Sequence, residues 1–127
     1  MIIGLDLGEK KVGVAISEQG ILAKRHSTIE PEKIEATIRE FQPETIVIGL
    51  PKTLREEKGP QAQKILTQVE KIKAKIQLPI VLEDEALTTT EAEQNLINEG
   101  FTGEKLKNLL DQEAARILLQ NYLDRKK

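Results

Sequence analysis

Three places in the chain set acids where chemistry could be done. Asp6 stands inside the apolar run IIGLDL, Glu83, Asp84 and Glu85 end the run PIVLEDE, and Asp111 lies within LLDQEAA. An isolated carboxylate in an apolar strand is costly to bury and tends to take up a proton, unless a cation or a positive partner removes that cost. Asp6 therefore reads either as a strand-end residue capping the turn at Gly8 and Glu9, or as a ligand. Strand alternation sets Glu83 and Glu85 on one side and Asp84 on the other, while acids ahead of a helix are also favoured merely by its dipole. Asp111 shares a helical side with Lys107, Ala114, Ala115 and Leu118, small neighbours that would let the helix lie close on a sheet. It could also sit on a solvated boundary facing Lys107 or Arg116.

The rest of the composition narrows the chemistry. There is no cysteine and one histidine, His26, so thiolate sites, disulfides and a histidine zinc cluster are excluded, and any metal must be held by oxygen. An acid cluster of this kind suits Mg²⁺ or Mn²⁺, and two such ions about 4 Å apart can activate a water and stabilise the leaving oxygen in phosphodiester cleavage. Lys10 and Lys11 follow Asp6, and Lys52, Arg55 and Lys58 follow VIGLP, so both groups would fall near one sheet edge. They could meet phosphates despite a net charge of -2, or simply be solvated. Aromatic residues are only 2% of the chain, which argues against a base-stacking platform.

The elements that must position these groups follow from periodicity. Residues 2 to 7 and 11 to 17 read as a hairpin turning at Gly8-Glu9-Lys10, and residues 21 to 28, after Gly20, read as a more polar third strand suited to a sheet edge. From Pro31, Ile34, Ile38 and Phe41 recur at helical spacing. TIVIGLP, residues 45 to 51, is a strand covered on both faces. Residues 61 to 76 form a helix, and PIVLEDE, residues 79 to 85, is a second buried strand. Two helices close the chain: Thr89 to Asn98, with Thr90 and Glu93 at capping-box spacing and Gly100 as stop, and another beginning near Gly103. The order β-β-β-α-β-α-β-α-α implies an α/β fold, a mixed five-stranded sheet flanked by helices.

At 127 residues the expectation is one domain over residues 1 to 127. No apolar run approaches the roughly 20 residues of a membrane span and no signal segment opens the chain, so the expectation is a cytoplasmic protein with no membrane partner.

The motifs GLDLG at 4 to 8 with VGVAIS at 12 to 17, VIGLP at 47 to 51 with GPQA at 59 to 62, DEALTT at 84 to 89, and DQEAARILLQNYL at 111 to 123 together resemble the YqgF/RuvX family. The resemblance runs through essentially the whole chain and implies a ribonuclease-H-like fold related to the resolvase RuvC. It also implies a bacterial nuclease, described both as a Holliday junction resolvase and as the enzyme that processes the 5′ end of the 16S ribosomal RNA precursor. Carried over, its acidic site is Asp6, Glu85 and Asp111, serving as catalytic residues and as ligands for Mg²⁺ or Mn²⁺. Nucleic-acid contacts would fall to Lys10, Lys11, Lys52 and Arg55. Two departures stand out: Ala86 replaces the arginine usual in the family, and Lys52 with the charged REEK replaces a leucine and a small turn-forming stretch.

Partners implied are structured RNA or branched DNA and a ribosomal precursor particle, with the chain acting as monomer or homodimer. Two other readings use the same residues. GLDLG followed by a hairpin also resembles the phosphate loop of actin-like and sugar-kinase ATPases, which need two such domains. A non-catalytic assembly factor binding ribosomal RNA would fit the missing arginine beside Glu85.

Overall fold

The computed structural model describes residues 1–8, 10–50, 60–84 and 88–126. Five strands form one sheet: β1 (Ile2–Leu7), β2 (Val12–Ser17), β3 (Lys24–Ile29), β4 (Thr45–Leu50) and β5 (Ile80–Asp84). Their spatial order is β3-β2-β1-β4-β5. β1 pairs antiparallel with β2 and parallel with β4, and β5 extends the sheet parallel to β4. Four helices accompany them: α1 (Ile34–Phe41), α2 (Pro60–Lys75), α3 (Thr88–Asn98) and α4 (Gly103–Lys126). The mixed five-stranded sheet expected from the element order is therefore present.

Alternation along the central strands divides the core in two. Ile3, Leu5 and Leu7 of β1, with Ile46 and Ile48 of β4, face one side and pack with Ile34 and Ile38 of α1 and Ile65, Val69 and Ile72 of α2. Ile2, Ala15 and Val47 face the other side and pack with Ala115, Leu118, Leu119 and Leu123 of α4. The result is three layers, with β1 at the centre of the sheet.

What sets α4 so close is missing side chains on the strands. A Cβ placed on Gly13 of β2 would lie 1.9 Å from the main-chain oxygen of Asp111, and one on Gly4 of β1 would lie 2.9 Å from Cβ of Leu119. Contacts under 3 Å are not tolerated by real Cβ atoms, so both positions require glycine. On the helix side, Ala115 keeps the sheet-facing surface low, as the small-residue stripe led one to expect, whereas Ala114 packs against Ala92 of α3.

β3 is a sheet edge, as its polar sequence suggested, and it carries a bulge. Gly13 pairs with Thr28 and Val14 with Ser27, but Ala15 then pairs with Arg25, leaving His26 as the extra residue. Bulges re-aim side chains. Here the slip turns Arg25 to the same face as Ala15, toward α4, and His26 packs edge-on against Phe41 of α1 at 4.7 Å between ring centres.

Two expectations need correction. β5 is the other edge of the sheet rather than a strand covered on both faces: Ile80 packs on the α1/α2 core, but Leu82 is 36% exposed. Leu82 shares the α1/α2 side with Ile80 and with its register partner Ile48, and the helices of that side cover Ile80 but leave Leu82 open. The capping box also fails, because α3 begins at Thr88 and Thr90 lies within its first turn, with Ala92 fixed in the core. Gly100 does end that helix, at φ +97°.

The close contact yields a ranking that unfolding can check. Gly13→Ala drives a methyl into rigid backbone and should cost on the order of 3 kcal/mol or more, whereas Gly4→Ala meets a side chain and should cost about 1 to 2 kcal/mol. Equal urea midpoints for the two variants would contradict a backbone contact at Gly13.

Candidate active site

Asp6 is the last α4-facing residue of β1. Gly4 faces α4 and Asp6 lies two residues on, so both share that face of the strand. The cross-strand partners of Asp6 are Gly13 on β2 and Gly49 on β4, so its immediate neighbours on both sides carry no side chain. Asp6 thus stands between two positions without side chains, of which Gly13 is covered by the α4 main chain at Asp111.

Asp111 lies over the same part of the sheet, since its main chain rests on Gly13, the partner of Asp6. Burial pushes its carboxyl pKa up from the ordinary value, and the nearby Lys11 ammonium pulls it partly back. The cation nearest in effect is therefore Lys11, not the Lys107 or Arg116 considered from helical spacing. Arg116 is engaged elsewhere, donating to both oxygens of Glu113 at 2.8 and 2.5 Å.

Beyond Gly49 the row continues to Glu83 of β5. Glu83 is buried and is held by Arg125 at the end of α4. Of the three acids after that strand, Glu85 lies outside the described residues, as do Lys52, Arg55 and Lys58. Asp6, Gly49 and Glu83 are level across the sheet, so β5 ends beside the gap in which Asp6 lies. Among the described residues no three acids or histidines are grouped closely enough to hold a metal ion. The described part of the site thus supplies two carboxylates. Their oxygen-only chemistry and the half-buried state of Asp111 fit a hard divalent cation.

The two lysines after Asp6 separate: Lys11 acts on Asp111, while Lys10 lines a groove between α1 and α2 on the opposite face of the sheet.

One functional support was not read from the sequence. Glu113, fully buried, accepts hydrogen bonds from Arg25 of β3 at 2.9 Å, Asn95 of α3 at 3.0 Å and Arg116. Burial raises its pKa, but Arg116, Asn95 and Arg25 together outweigh that and hold it low. Arg25 continues to Glu99 at 2.8 Å. This cluster locks β3, α3 and α4 together two residues from Asp111. The visible signal was a Glu and an Arg three apart inside an otherwise apolar helix face; their partner Arg25 depends on the β3 bulge, which spacing does not reveal.

The shift at Asp111 has a definite sign. Its folded pKa lies above its unfolded value of about 3.9, so the folded protein binds the extra proton and loses stability as pH rises through that interval. Without divalent cations, Asp111→Asn should therefore melt higher than the unaltered chain at neutral pH, and the difference should close as pH falls toward about 4. A difference that stays constant with pH would rule out the desolvated carboxylate as its source.

With this geometry in hand, comparison with known proteins is informative. A family model described as RuvX, Holliday junction resolvase, matches residues 1–125. A Thermoanaerobacter pseudethanolicus protein named "Putative pre-16S rRNA nuclease" is 42% identical, covering 99% of this chain and 97% of its own. A Chloroflexus aggregans protein of the same name is 43% identical, covering 97% of this chain and 92% of its own. Among solved structures, Thermus thermophilus RuvC in complex with a Holliday junction substrate superposes with a TM-score of 0.61 at 14% identity, over 98% of this chain and 94% of that one. That likeness shows the fold, which is ribonuclease-H-like. By the extent of both matches the chain belongs to the RuvX family of nucleases.

Proposed function

We propose that this protein is a divalent-cation-dependent endonuclease that hydrolyses phosphodiester bonds in structured RNA, processing the 5′ end of precursor 16S ribosomal RNA in the bacterial cytoplasm. The observation that supports the reading is the contact of the Asp111 main chain with Gly13, the register partner of Asp6, which sets two acids distant in sequence on neighbouring positions of a central strand and a closely laid helix. Relatives about 40% identical along their whole length bear the name of a pre-16S rRNA nuclease, which favours RNA.

Asp6, Glu85 and Asp111 would hold Mg²⁺ or Mn²⁺, which supplies activation of a water and charge stabilisation of the leaving oxygen. The residues of the chain do the rest. Asp111, whose half-burial disfavours its charge, gains a partner when a cation binds. Gly13 beside Asp6 lets α4 lie close enough to bring Asp111 over the end of β1. Lys11 offers a positive charge at the same place, and Lys52 and Arg55 would extend it along the substrate backbone. Nothing in this scheme requires the arginine replaced by Ala86.

A second reading, junction resolution on branched DNA, is favoured by the description of the family model. Resolution needs two cuts and therefore a homodimer, whereas single-site RNA processing is open to a monomer. Incubation with Mg²⁺ and, separately, a transcript spanning the precursor 5′ end or a four-way DNA junction tests both. The transcript should be cut at a discrete site and the junction left intact or cut slowly. Asp6→Asn should slow cleavage about 10³-fold, the loss of about 4 kcal/mol of barrier lowering. Cleavage at equal rates by Asp6→Asn would remove Asp6 from the chemistry, and metal-independent RNA binding without products would favour a non-catalytic assembly factor.

A further inference from the structure

On the face of the sheet away from α4, α1 and α2 diverge to leave a groove of about 880 Å³. It does not belong to the acidic site, yet it begins beside it. Lys10, four residues after Asp6, lines one end, and Gln68 of α2 donates from Nε2 to the main-chain oxygen of Gly8 at 3.0 Å, tying the groove wall to the end of β1. The groove is open to solvent at its rim and floored by Ile34, Ile72 and Ile76.

Its two walls carry opposite charge. Along α2, Lys64, Lys71 and Lys75 form one stripe, spaced seven and four residues apart, with Thr67 and Gln68 between them. At 1.5 Å per residue this stripe is about 16 Å long. The facing wall offers Glu32 and Glu35. Among the described residues Lys75 is tied across to Glu35 at 3.6 Å, and Arg39 holds the other oxygen of Glu35 at 3.1 Å, exposed pairs of little strength.

We infer that this groove holds a single strand of the nucleic-acid substrate, continuous with the segment cut at Asp6 and Asp111. The inference rests on the nuclease reading for the strand's identity. Phosphates follow the lysine wall, and the carboxylates of the other wall repel them and accept from base amino groups. A duplex is too wide to enter between two helices, and a partner peptide would gain little from a floor of three isoleucines under a charged rim. No aromatic residue lines the groove, so recognition is by backbone charge and tolerates sequence.

The experiment measures binding rather than cleavage. A fluorescent single-stranded RNA of about 20 nucleotides, long enough to occupy both groove and acidic site, is titrated by anisotropy at several salt concentrations in the Asp6→Asn background without Mg²⁺. Lys64→Gln with Lys71→Gln should reduce the salt slope by about 1.4, from about 0.7 per lost phosphate contact. Lys73→Gln, an exposed lysine of the same helix outside the groove, should leave the slope unchanged. An unchanged slope in the double variant, or an equal loss per lysine in Lys73→Gln, would overturn the inference by showing diffuse attraction only. Cleavage by the otherwise unaltered chain with Mg²⁺, assayed in parallel, reports on the nuclease reading alone. Absence of cleavage with the predicted slope change would sink that reading and leave the groove as a binding site.

Discussion

The α4 layer depends on one contact, the main chain of Asp111 resting where Gly13 has no side chain. A helix normally keeps its axis about 10 Å from a sheet because side chains of both intervene. Here Gly4 and Gly13 on the strands and Ala115 on the helix remove that spacer. Because Gly13 is the register partner of Asp6, the helix seated in that vacancy sets Asp111 beside the strand position of Asp6. Packing and chemistry share a residue.

Such a contact is lost if the helix slides, and two sets of interactions oppose sliding. Near Asp111, Glu113 gathers Arg25, Asn95 and Arg116 from three elements. At the far end, Arg125 holds Glu83 and Gln120 accepts from the main-chain N–H of Ala23 at 2.9 Å. Buried ion pairs add little net stability compared with apolar packing, but breaking one leaves an uncompensated charge. Their value here is geometric, because only one position of α4 satisfies all of them. Asp111 alone is left in an unfavourable electrostatic state, a cost of the kind functional sites carry.

Much of this was legible in the chain. Short apolar runs, turn glycines and the change of period at Pro31 specified the strand and helix order, and the polar third strand announced a sheet edge. The small-residue side of α4 correctly implied close approach. What spacing could not supply was coverage: PIVL reads as buried whether or not a helix lies over all of it, and the structure covers Ile80 but leaves Leu82 exposed. Nor could it supply the bulge at His26, a register event between two strands that decides whether Arg25 reaches Glu113. The acids divide in the same way. Asp6 is the register partner of Gly13, on which the main chain of Asp111 rests, Glu83 is engaged by Arg125, and the choice of Glu85 still rests on the family motif.

The central claim is that a divalent cation binds at the Gly13 gap between Asp6 and Asp111. Paramagnetic broadening by Mn²⁺, followed on the amide resonances of the isotope-labelled chain, tests it most directly. At substoichiometric Mn²⁺ the amides of Asp6, Leu7, Gly13, Asp111 and Gln112 should vanish first. Broadening centred instead on exposed acids such as Glu32 or Glu99, with Gly13 and Asp111 unaffected, would contradict the account.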